Sequence, residues 1–296
     1  MQIDRMDLDE CRTPEAIVTE IVRQIPNMPV PVPIEDLARA VDIVDIRRMD
    51  TPNFEGGLIT QPERRDGMIL VNSNGSQQRQ RYTIGHEIGH FLMVSHQPAT
   101  PGGAFMCSQA DMAVRRADRD DRAARMEMEA NRFSAGILMP LNRFRPDIEA
   151  LGDPDLQHIF ALAKRYDTSR EATAIRYTGY HDRHCAVIIA KDNVVRRIVR
   201  PSRFPFIDVS LSRPLPTNSF TMRSRVTAPG WGEVDGGVWL GYGPAARGVI
   251  REQAYRGNSG WTYTLLVLEP GAAPDPDDEE DVPDVYDRFQ ASFDRR

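Results

Sequence analysis

The stretch RYTIGHEIGHFLM, residues 81–93, constrains this chain most tightly: two histidines stand four apart, with a glutamate directly after the first. On a helix, residues i and i+4 lie one above the other on the same face, so His86 and His90 can reach one point together. The His-Glu-x-x-His pattern places two imidazoles on one ion and the intervening Glu87 beside water, the arrangement of a hydrolytic centre. The flanking sequence supports a helix. Ile84, Ile88, Phe91 and Leu92 form a core-facing stripe from about residue 77 to 94, and Ser76 is placed to cap it.

A catalytic zinc takes three protein ligands and keeps one position open, so a third ligand has to come from elsewhere. A second helix is expected over residues 117–139, ended by Pro140, and MEMEANRFSAGILMP (126–140) within it offers Glu127 and Glu129. Glu129 shares a face with Met126, Ala130, Phe133 and Ile137, the apolar face, whereas Glu127 falls with Asn131 and Ser134 on a more polar side. A carboxylate on a buried face is costly unless it is paired or binds a metal. The periodicity therefore selects Glu129 as the third ligand. Asn131 reads either as a partner to a ligand or as a surface polar residue.

Around these helices the chain reads as a mixed α+β protein. Helices are expected over 13–25 and 33–41, a strand over 43–47, and a hairpin from GGLIT (56–60) and GMILVN (67–72). An extended peptide can add to the edge of such a hairpin and present its carbonyl to a metal. The stretch SHQPATPGGAFMCSQAD after the first motif is rich in Pro and Gly and reads as a loop. Cys107 in that loop reads as an ordinary buried thiol, with a role as fourth metal ligand the alternative. These elements make a domain over 1–150. Helical patterns over 151–180 resemble a helix-turn-helix, β-rich sequence occupies 181–270, and 271–296 is an acidic tail expected to be disordered.

Charge and cysteine content exclude several classes. The net charge of −6 is carried by the tail, which holds nine acidic and three basic residues, so the rest is neutral. That is not the basic excess of a protein that binds nucleic acid by neutralising phosphates; DNA binding through 153–180 is a disfavoured alternative. Three scattered cysteines are no disulfide framework, and no apolar run approaches the roughly 20 residues of a membrane span. A cytoplasmic protein is expected, of unspecified oligomeric state.

RYTIGHEIGHFLM, followed about 40 residues later by EMEANRFSAGILMP, resembles the ImmA/IrrE family of zinc metallopeptidases. The resemblance covers roughly residues 30–140. It implies a gluzincin-like fold, Zn2+ (with Mn2+ as an alternative) on His86, His90 and Glu129, and Glu87 as the catalytic base. It also implies proteolysis of a helix-turn-helix repressor, and a GAF-like domain in the place of the β-rich region. The donor for a developing oxyanion is not singled out; His96, Arg81 and Tyr82 are the nearest candidates.

Overall fold

In a computed structural model of the chain the described residues are 1–98, 104–108, 121–224, 228–257 and 259–269. They form an α+β protein with two separate sheets. Two compact units emerge, Met1–Phe144 with Lys164–Ser169, and Arg145–Ala163 with Arg170–Arg296. They are drawn differently from the boundaries expected at 150 and 180. The acidic tail and residues 109–120, where the second motif helix was expected to begin, lie outside the described residues.

The first unit opens with α1 (Arg5–Asp9), α2 (Pro14–Gln24) and α3 (Ile34–Ala40). Thr13 caps α2 by accepting from the Ala16 amide, with Pro14 in the first turn where its missing N–H costs nothing. A four-stranded sheet follows in the order β1-β3-β2-β4, from β1 (Ile43–Met49), β2 (Gly56–Thr60), β3 (Gly67–Asn72) and β4 (Phe105–Cys107). β2 and β3 are the expected antiparallel hairpin, and β1 runs parallel to β3. β4 is a correction to the loop reading of 95–111: it pairs antiparallel with β2, Gly56 opposite Cys107 and Leu58 opposite Phe105. Three residues flanked by Pro and Gly are too short for a periodicity argument to detect.

The two motif helices are α4 (Gln77–Leu92), capped by Ser76 as expected, and α5 (Arg122–Leu138). Glycines let them approach closely. A Cβ at Gly85 would meet Ser134 Oγ at 2.7 Å, and one at Gly89 would meet Ala130 Cα at 3.2 Å. Ile84, Ile88, Phe91, Ala130, Phe133 and Ile137 bury one continuous core with α2, α3 and the sheet. Arg64, itself buried, donates to the carbonyls of His90, Phe91 and Met93 at 2.6–2.9 Å and also to that of His96. It thereby satisfies the orphan carbonyls at the end of α4 and fixes the segment leaving it.

Pro140 separates α5 from α6 (Leu141–Leu151), which the periodicity does not predict; α7 (Leu156–Tyr166) and α8 (Arg170–Tyr180) are the two helices expected next. In the second unit β5 (Cys185–Lys191), β6 (Val194–Val199), β7 (Gly230–Asp235), β8 (Val249–Arg256) and β9 (Trp261–Val267) form an antiparallel sheet ordered β6-β5-β9-β8-β7. The turn at Asp192–Asn193 has φ of 51° and 63°, the left-handed pair that a two-residue hairpin requires. α9 (Phe220–Arg223) starts on the buried Glu252, which accepts from the amides of Phe220 and Thr221 and from Trp239 Nε1. That carboxylate is fully engaged in structure.

Candidate metal centre

α4 turns His86, Glu87 and His90 fully inward. The two Nε2 atoms stand 3.0 Å apart. Against them come a carboxylate from α5 and a thiol from β4: Glu127 Oε2 is 3.1 Å from His86 Nε2 and Oε1 is 3.5 Å from His90 Nε2. Cys107 Sγ lies 3.6 and 4.0 Å from the same two nitrogens. One ligand atom from each of His86, His90, Cys107 and Glu127 falls within 4.8 Å of all the others.

The expectation for Glu129 is corrected. Its Oε2 sits 2.8 Å from His96 Nε2, and its side chain is 38% exposed against 17% for Glu127. The apolar stripe of Ala130, Phe133 and Ile137 does face the core, but Glu129 beside it stays partly exposed, and the face turned to His86 and His90 is the polar one. Glu127, Asn131 and Ser134, spaced i, i+4 and i+7, instead form the stripe that meets α4, and Asn131 and Ser134 are buried by it. A polar stripe can be buried when every member is partnered. Ser134 Oγ donates to the Tyr82 carbonyl at 2.7 Å, and Asn131 Oδ1 accepts from Tyr82 Oη at 2.8 Å.

These partners also orient the imidazoles. Asn131 Oδ1 lies 3.1 Å from His86 Nδ1, and as an acceptor it puts the ring proton on Nδ1 and turns the Nε2 lone pair toward the cluster. On His90 the outer nitrogen, Nδ1, faces His96 Nδ1 at 2.9 Å, and His96 Nε2 faces Glu129. The consistent assignment is a relay in which His90 Nδ1–H donates to His96 and His96 Nε2–H donates to Glu129. His96 and Glu129 thus orient the His90 ring. Of the other oxyanion candidates, Arg81 is tied to Asp167 at 3.2 Å and to the Val32 carbonyl at 2.9 Å, a structural anchor.

The donor set fits a divalent cation. Two Nε2 lone pairs and the Glu127 carboxylate converge with no hydrogen-bond donor to Glu127 Oε2, an arrangement that a cation relieves. For tetrahedral zinc, bond lengths of about 2.0–2.3 Å put nitrogens about 3.3 Å apart and sulfur about 3.6 Å from nitrogen. The separations above lie close to both. Protonation agrees: burial drives His90 down to about 3, with His86 and His96 adding to the effect and Glu127 opposing it. Burial works to raise Glu127, but the adjacent His86 and His90 outweigh it and hold its carboxyl well below the usual range. Neutral imidazole and ionised carboxylate are the forms that ligate.

Glu87 has the opposite character. It is completely buried, and neither carboxylate oxygen has a hydrogen-bond partner. Burial first and the charge of Glu127 second push its pKa well above the usual carboxylate range, with Cys107 acting against them. The backbone of β2 approaches it closely: a Cβ on Gly56 would lie 2.7 Å from Glu87 Oε1 and would collide with Thr83 Cγ2. Burial and the neighbouring negative charge thus favour the protonated form of this carboxyl.

Residues 41–178 match the model of the peptidase M78 family, described as the IrrE N-terminal-like domain, so this part of the chain is similar to the ImmA/IrrE family. Among curated proteins none matches the sequence. A solved Mycobacterium tuberculosis transcriptional regulator aligns with a TM-score of 0.50 at 14% identity, over 89% of this chain and 76% of that one, a likeness of fold. Among the described residues no helix is long and apolar enough to cross a membrane.

Proposed function

We propose that this protein is a metal-dependent endopeptidase of the cytoplasm that regulates transcription by cleaving a helix-turn-helix repressor. The observation that carries the catalytic part is the convergence of His86, His90 and Glu127 beside a buried, unpartnered Glu87. His86, His90 and Glu127 would hold Zn2+, or Mn2+ in its place; two imidazoles and a carboxylate suit zinc. Bound there, the ion supplies Lewis acidity toward a peptide carbonyl and acidifies water at neutral pH. Glu87 takes the proton from the attacking water on a carboxylate oxygen and delivers it to the leaving amine. Asn131 holds His86, and the His96–Glu129 pair holds His90, in the tautomers that keep both Nε2 atoms free.

The choice of a repressor as substrate follows the family resemblance, and a sensory, GAF-like role for the β-rich region belongs to the same proposal. The test is incubation of the full chain with a candidate helix-turn-helix repressor, with zinc or manganese, an EDTA control and a Glu87→Gln variant. Cleavage that needs metal and fails in the variant supports the proposal. Cleavage by the variant at the wild-type rate removes Glu87 as the base.

The alternative of a DNA-binding regulator is weakened by Arg176, which with Lys164, Arg165 and Arg170 makes up the basic residues of 153–180. It is 5% exposed, with its guanidinium 5.2 Å from the centre of the Tyr180 ring. A buried arginine offers no charge to a phosphate backbone.

A further inference from the structure

The sheet edge that should receive a substrate is already taken. β2 carries the backbone that passes Glu87, and along its free side runs β4, with Cys107 directly opposite Gly56. The alternation of β4 is strict: Phe105 and Cys107 are buried and Met106 is 59% exposed. Phe105 stacks on the His90 ring at 5.0 Å, and the Cys107 carbonyl accepts from the Glu55 amide at 3.1 Å. This backbone and ring packing delivers the thiol to the two histidine nitrogens at 3.6 and 4.0 Å.

We propose that β4 is a built-in inhibitor of the metal centre: it takes the strand position beside β2 that an extended substrate would use, and Cys107 closes the metal's coordination shell. The inference rests on the metal reading above and adds its control. A catalytic zinc site has three protein ligands and an open position, whereas four protein ligands make a closed, structural type of site. A thiol on such an ion is deprotonated and binds tightly. With Cys107 in place, His86, His90, Glu127 and Cys107 would supply four protein ligands and leave no open position for water beside Glu87. Pairing through only three residues of β2 makes β4 easier to exchange for a substrate strand than a full-length strand would be.

The experiment is cobalt(II) substitution of the full chain, read by absorption spectroscopy, with Cys107→Ser and Cys107→Ala variants and Cys11→Ser as a control. The wild type and the Cys11 variant should bind one cobalt per chain and show a thiolate-to-cobalt charge-transfer band in the near ultraviolet. Both Cys107 variants should keep the cobalt and lose the band. Acetohydroxamate should shift the visible cobalt spectrum of the Cys107 variants and leave the wild type unchanged. Bound cobalt without the band in the wild type, or a wild type that responds to acetohydroxamate as the variants do, overturns the proposal and leaves the metal centre standing. A wild type that binds no cobalt overturns both. The wild-type spectrum decides even where a variant fails to fold.

Discussion

The Glu127 carboxylate stands 3.1 Å from His86 Nε2, while Glu129, two residues on, stands 2.8 Å from His96. One of these carboxylates is thus placed to hold a metal and the other to orient a histidine. Glu127→Ala should abolish stoichiometric zinc binding, measured by calorimetry against a chelator. Glu129→Gln should weaken it by about 10- to 100-fold, the range for partners of metal ligands. Equal losses in the two variants would erase the distinction.

Asn131 shares its Oδ1 between His86 Nδ1 and Tyr82 Oη. Asn131→Ala should lower zinc affinity about tenfold or more, and Tyr82→Phe by less, because only the first leaves His86 without the acceptor that sets its tautomer. A Tyr82→Phe defect larger than that of Asn131→Ala would contradict this ordering.

Gly56 has no room for a side chain, since a methyl group would press on Glu87 Oε1 and Thr83. Gly56→Ala should destabilise the protein by about 1–3 kcal/mol in urea denaturation, the usual cost of overpacking a buried contact. It should also displace Glu87 and lower any metal-dependent cleavage. Full stability together with full activity would mean that β2 is not held against α4.

Arg64 gathers four backbone carbonyls at the end of α4. Burial pushes its guanidinium down to about 10, with Arg5 adding to the shift, so it stays charged at neutral pH. Arg64→Met should cost about 3 kcal/mol, because buried carbonyls lose a charged donor. The same urea midpoint measurement checks it, and a neutral outcome would show that those carbonyls find other partners.

Acid should destabilise the metal-free protein from about pH 6.5 downward. Burial lowers His90 to about 3 and also lowers His96, His158 and His181. The unfolded chain protonates its histidines near pH 6.5, while the folded chain resists. For these rings neither state gains a proton above that pH; below it the unfolded state does, and stability falls, for His90 until the pH nears 3, with Glu87, raised in the folded state, opposing the trend without matching the four rings. The urea midpoint of EDTA-treated protein should therefore be lower at pH 5 than at pH 7.5. A midpoint that rises on acidification would contradict the buried, neutral state of these rings.

Much of this was legible in the residues. Ser76 marked a helix start that the structure reproduces, the helix expected over 13–25 is α2, and the hairpin of β2 and β3 followed from two apolar runs. The spacing of His86 and His90 placed both on one face of α4 because helical periodicity is a local property. α6 is not marked by the residues, nor is β4, whose three residues lie in a stretch of turn-forming composition.

The sequence by itself determined the two inward histidines, the glutamate between them and a facing helix that had to contribute a carboxylate. It did not determine which carboxylate. Only the tertiary structure sets Glu127 beside the two histidines, and only it brings Cys107 to the same point, because both depend on how α5 and β4 are rotated and set against α4. Local periodicity records which residues share a face; the close approach at Gly85 and Gly89, and the pairing of β4 with β2, record which face meets the site.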